Sequence, residues 1–213
     1  MRSGEPSASP HRHSRPTLHN RRVPRPTSSP TARRVAGIGG LLELLDAGRL
    51  ARDPHRPDDA DLLTHGLRCA AVLETLAPGD LELQVAGLVH DLGTLLEPRC
   101  PDRHPAAGAE AVRPLLGRRV ADLVAGHEDA VRYLVTVDVS YRSRLGPGAR
   151  EHLRRLGGLM DPDERSTFLA RPDAEALVTL RRADDTARTP AGRVPSLDHW
   201  TLALYAVAAT ARP

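Results

Sequence analysis

Apolar residues recur three and four positions apart along most of this chain, the spacing of a helix with one buried face. LLELLDAGRL places leucines at 41, 42, 44 and 45 and predicts a helix from about residue 36. ADLLTHGLRCAAVLETLA, residues 60–77, continues the pattern and stops at Pro78-Gly79, a turn signal. Asp80 is placed to cap a helix of about 80–96, which Pro98 and Pro101 end in a loop carrying Cys100 and His104. Helices follow at about 106–117 and 119–137. Asp161, Pro162 and Glu164 form a cap, a first-turn proline and a third-position glutamate, which start a helix of about 162–170. Asp173 starts another to about 187, and Ser196 one of about 197–211. Runs of β-branched and aromatic residues bounded by turns are absent, with one isoleucine and five aromatics in the chain. The expectation is a single all-α domain, residues 35–213, of roughly eight helices, without internal repeats.

Composition sets residues 1–34 apart. They hold eight arginines against one glutamate, a net of +7, whereas residues 35–213 hold 22 arginines against 26 acids, a net of −4. The overall +3 therefore conceals an acidic domain behind a basic tail. Rich in Pro, Ser, Arg and His and poor in apolar residues, the tail has the composition of a disordered segment. It lacks aromatics for base stacking and any groove-reading motif, so no nucleic-acid partner is expected. No signal-peptide core precedes residue 35, and VAGIGGLLELLDAG is too short and polar to span a bilayer. A soluble cytoplasmic protein without a membrane partner is the expectation. Two cysteines, Cys69 and Cys100, do not make a disulfide framework.

The candidate chemistry lies in GLVHDLGTLLEPRCPDRH, residues 87–104. His90 and Asp91 sit inside an apolar run, where unpartnered burial costs several kcal/mol. His65, His104, His127 and Asp184 also lie on or beside apolar stretches. Taken singly, each has a plainer reading: His127 at a helix end meeting the dipole, Asp184-Asp185 a solvated charge run. Together, four imidazoles and two carboxylates suit iron, manganese or zinc. Six such side chains can hold two metals about 3.5–4 Å apart if one carboxylate bridges them. A rival site, a structural zinc on His65-x3-Cys69 and Cys100-x3-His104, leaves His90, Asp91, His127 and Asp184 unexplained. His152 and His199, on polar stretches, read as solvated.

At these residues the chain resembles the HD-domain superfamily, whose signature His…His-Asp…Asp is matched by His65, His90-Asp91 and Asp184. The additional pair His104 and His127 resembles the dinuclear branch. HEDAVRYLVTVDVSYRSRLGPGAREHLRRLGGLMDPDE, followed by LRRADDTAR, is similar to the HD-domain mixed-valent di-iron oxygenases, which include phosphonate-degrading enzymes and are related to myo-inositol oxygenase. The resemblance covers about residues 54–190. It implies that His65, His90 and Asp184 hold one iron, His104 and His127 the other, with Asp91 bridging. It also implies activation of O2 and cleavage of a C–C or C–P bond in a small polar metabolite. His55 and Asp58 fall near positions where the family places a gating tyrosine and a glutamate, and are candidate catalytic residues beside Asp91.

Three positions depart from the phosphonate enzymes. Thr94, Val131 and Ala149 stand where those enzymes carry a histidine, a lysine and a serine, so donors and positive charge for a phosphonate are missing. Arg132, Arg181 and Arg188 can supply cationic character from other directions, although a surface position is the simpler expectation for them. The same superfamily contains metal-dependent phosphohydrolases, the alternative activity, and non-catalytic nucleotide-binding modules, which are expected to have lost ligands that this chain retains.

Overall fold

A computed structural model describes residues 35–53, 60–189 and 193–211, and its described residues are helical with no strand. Ten α-helical segments occur among them: α1 (Gly37–Ala47), α2 (Leu62–Leu76), α3 (Leu81–Val89), α4 (Gly93–Leu96), α5 (His104–Val137), α6 (Val139–Ser143), α7 (Pro147–Arg155), α8 (Pro162–Leu169), α9 (Ala174–Ala187) and α10 (Leu197–Thr210). The all-α expectation holds. The count exceeds roughly eight because the helix expected over 80–96 is divided into α3 and α4 and because α6 and α7 add to those expected; α6 carries too few turns for periodicity to register, and α7 buries only Leu153.

Local signals account for most helix starts. Asp61 accepts from the Thr64 amide at 2.9 Å, and Asp80 from the Leu83 amide at 3.0 Å. Asp161 accepts from the amides of Asp163 and Glu164 while Glu164 accepts from the Asp161 amide, a closed capping box. Ser196 makes no side-chain cap. Neither does Asp173, whose carboxylate instead meets Arg171.

Two departures from the expected helices shape the histidine and aspartate positions. The single helix expected over 80–96 breaks after Val89, and the chain tightens into three-residue turns, with the amides of Leu92, Thr94 and Leu95 bonded to the carbonyls of Val89, Asp91 and Leu92. This tight corner carries His90 and Asp91. The other departure lies within α5, where Gly117 adopts φ 83° and ψ 176°, a conformation that only glycine takes without strain. The helix is thereby two arms, in accord with the two helices expected at 106–117 and 119–137. The arms face each other, since a Cβ on Gly108 would lie 3.1 Å from Val124.

α2 packs on α3 and α9, and α5 packs on α3, α4 and α9, with α10 and α1 closing one side. Leu63, Leu73, Val85, Leu116, Leu123, Leu177, Leu180, Trp200 and Leu204 are wholly buried between them. A second small cluster, Val131, Val135 and Leu153 with Tyr141 and Leu145, attaches α6 and α7 to the outer arm of α5. No described helix is long and apolar enough to cross a membrane.

Candidate metal centre

Close helix approach brings the six expected side chains together, and glycines beside them permit it. Gly66, next to His65, lies against the backbone of Leu88, where a Cβ would sit 2.5 Å from the Leu88 carbonyl oxygen. Gly93, two residues after Asp91, abuts His104, whose carbonyl oxygen would be 1.9 Å from a Cβ there. Gly126, preceding His127, receives the guanidinium of Arg171. A methyl group at the first two would force the backbones carrying the imidazoles apart.

The resulting cluster is buried. His65, His90, His104, His127 and Asp184 are each at most 6% exposed. Asp91 lies at the centre, with its two oxygens facing different histidines. Oδ2 is 3.3 Å from His90 Nε2 and 3.8 Å from His65 Nε2. Oδ1 is 3.5 Å from His104 Nε2 and 3.9 Å from His127 Nε2. Asp184 Oδ1 stands 2.9 Å from His65 Nε2 and 4.0 Å from His90 Nε2. Asp91 thus belongs at once to a group with His65 and His90 and to a group with His104 and His127, each compact enough to hold an ion.

The imidazoles are set for ligation by their other nitrogen. His90, His104 and His127 each donate Nδ1–H to a carbonyl three residues back: Gly87 at 2.9 Å, Pro101 at 2.7 Å and Val124 at 2.7 Å. A carbonyl only accepts, so the proton of the neutral ring resides on Nδ1 and the Nε2 lone pair points into the cluster. Nε2 of His65 and of His90 are buried without a geometrically formed hydrogen bond. Leaving such atoms unsatisfied costs about 1–3 kcal/mol each. A divalent cation removes that cost, and the donor set of imidazoles and carboxylates fits a transition metal.

Electrostatics point the same way. Burial would raise the Asp91 carboxyl, but His90 and His104 beside it hold it well below the usual carboxylate range. Burial would likewise raise Asp184, which Arg181 and Arg188 hold well below that range. Against the effect of burial, Asp91 pushes His104 up to about 9, while burial and the neighbouring His104 and His90 push His127 down to about 4. With their Nε2 atoms 3.1 Å apart, one donates to the other. A metal at this pair must displace that proton.

The geometry rules out the rival zinc arrangement. Cys69 is buried in the core, Cys100 is exposed, and no cysteine joins a metal-holding group among the described residues. His55 and Asp58 lie outside the described residues.

The structure also corrects the surface reading of three arginines. Arg181 is 5% exposed, with Nη1 2.8 Å from Asp184 Oδ2. Its Nε donates to the Tyr141 hydroxyl, and Nη2 pairs with Asp185. Arg188 donates to Asp184 at 2.7 Å. Arg132 is half-buried and ties α5 to α8 through Glu164 at 2.7 Å. The polar stretch around His152 predicts a solvated ring, yet its Nε2 lies 2.5 Å from Glu128 Oε1, which is 3.9 Å from His104 Nε2. Glu128 follows His127 directly, a position that flags it in the sequence, whereas nothing there links it to His152.

Comparison with known proteins agrees with this geometry. The chain is 29% identical over 173 residues to hydroxymethylphosphonate dioxygenase from Gimesia maris (strain ATCC 29201 / DSM 8797 / 534-30), covering 76% of this chain and 84% of that protein. The family described as HD domain matches residues 62–189, a span that runs from the helix of His65 to just beyond Asp184. With well over half of its length matched and the signature histidines and aspartates gathered in one buried cluster, the chain belongs to the HD-domain family.

Proposed function

We propose that this protein is a cytoplasmic di-iron oxygenase that cleaves a C–C or C–P bond in a small polar metabolite with O2. His65, His90 and Asp184 would hold one iron, His104 and His127 the other, and Asp91 would bridge. The observation that carries this reading is the Asp91 carboxylate, whose two oxygens face two separate pairs of imidazoles. A mononuclear site would need only one of those pairs. The likeness to a protein named hydroxymethylphosphonate dioxygenase supports oxygen chemistry over hydrolysis.

When bound, a mixed-valent iron pair supplies O2 activation and abstraction of a substrate hydrogen. The chain's own part is orientation and exclusion of water. The Nδ1–H bonds to Gly87, Pro101 and Val124 fix three ring planes. Arg181 and Arg188 hold Asp184 ionised and aimed at His65. His55 and Asp58 remain candidates for the substrate side of the site.

Metal analysis of the purified protein with low-temperature paramagnetic resonance tests the proposal. About two irons per chain and a mixed-valent signal after partial oxidation are expected. Manganese or zinc in their place, with hydrolysis of generic phosphate esters and no O2 uptake, would replace it by the phosphohydrolase reading.

A further inference from the structure

A narrow cavity of about 10 Å³ lies between α1, α2, α3 and α4 and has the candidate bridging ligand in its wall. Six leucines and Gly48 make up the rest of its lining, and among the described residues its one polar side chain is Asp91. Leu63, Leu88 and Leu92 in this wall are buried, whereas Leu95 keeps part of its surface open. The Asp91 side chain is 17% exposed, against at most 8% for those of the other five candidate ligands. Larger hollows near Arg119 and near Tyr141 have no candidate ligand in their walls.

Size and lining decide what such a space takes. It has room for one water-sized molecule and none for a metabolite. A buried water needs two or more polar partners. Here the amides of Leu62, Leu92 and Leu95 are bonded to the carbonyls of Ala51, Val89 and Leu92, and both Asp91 oxygens already face imidazoles. A leucine-lined space of this kind stays dry and takes up small apolar molecules, xenon among them. A charged metabolite would lose its hydration there without recovering hydrogen bonds. Dioxygen, diatomic and uncharged, has none to lose.

We infer that this cavity is the place through which O2 reaches the metal centre, on the Asp91 side and apart from the path of the polar metabolite. The inference rests on the di-iron oxygenase reading and adds to it a separate binding place for one of the two substrates. Entry between leucines lets O2 arrive while a metabolite occupies the polar side of the centre, and it keeps water out.

Xenon, an inert atom that settles in apolar cavities, is the probe. Crystals of the iron-loaded protein under xenon pressure should hold a xenon atom among Leu63, Leu92 and Asp91. In parallel, anaerobically reduced protein is mixed with O2, and oxidation of its ferrous ions is followed by paramagnetic resonance. Leu95→Trp and Leu45→Phe, which fill the cavity from α4 and from α1, should abolish xenon binding and slow that oxidation severalfold at unchanged iron content. Leu95→Ala should preserve both. Xenon should also slow oxidation of the wild type, a readout that stands if a filling variant fails to fold. A cavity without xenon in the wild type would overturn the inference. Iron-replete protein whose oxidation ignores both xenon and the filling variants would refute the passage alone. Xenon binding by protein that carries zinc and does not react with O2 would refute the oxygenase reading, and the passage with it.

Discussion

His104 and His127 lie 23 residues apart on one helical element, yet their Nε2 atoms are 3.1 Å from each other. A straight helix would hold them about 34 Å apart. The reversal at Gly117 closes that distance, so half of the candidate metal centre depends on one backbone conformation remote from it.

Gly117→Ala places a side chain at φ 83° and ψ 176°. The expected cost is about 1–3 kcal/mol, measurable by urea denaturation. Metal content should fall with it, because the two arms of α5 no longer present both imidazoles. Unchanged stability would show that the reversal does not need glycine.

Gly93→Ala drives a Cβ into the His104 carbonyl, a backbone atom that has no free rotation to escape. We expect a loss of about 3 kcal/mol by denaturant melt, the upper end of typical overpacking. Gly79→Ala, with nothing within 4 Å of its Cβ, is the control and should change stability little. Similar melts for the two variants would contradict the close approach of α4 to the start of α5.

Asp91→Ala removes the carboxylate common to both imidazole groups and should yield protein without metal by elemental analysis. Asp184→Ala removes a carboxylate that, of the four imidazoles, faces His65 and His90, and should retain about one metal per chain. Asp185→Ala leaves all six candidate ligands in place and should retain about two. If Asp185→Ala strips metal while Asp184→Ala keeps it, the assignment of the final ligand is wrong.

Asp80 joins the start of α3 to the arm of α5 through a two-bond pairing with Arg119, at 2.6 Å for each bond. That bond holds its carboxyl below the ordinary value of 3.8, against the opposing effect of burial. Because the folded-state value is depressed, the stabilisation is fully present above pH 3.8 and is lost as pH falls through the lower folded-state value. Asp80→Asn should therefore be less stable than wild type at pH 7, and the gap should narrow once acid protonates Asp80. A gap that is constant from pH 7 to acid would remove the ion pair from the account.

Much of this protein is determined by local order along its chain. Three- and four-residue apolar spacing, with caps such as Asp80 and the Asp161–Glu164 box, marks the helices because both act within a few residues. The six candidate ligands were legible for a related reason: polar side chains amid apolar stretches must find partners. Tertiary structure alone decided what depends on contacts between distant segments. It broke the helix after Val89 so that Asp91 could turn both oxygens inward. It drew Arg181 and Arg188 from an apparent surface into the support of Asp184, and set the Tyr141 hydroxyl against Asp185. It also joined His152 to Glu128 across 24 residues. A hydrogen bond or an ion pair acts over a few ångströms of space, and only the folded chain establishes which residues come within that reach.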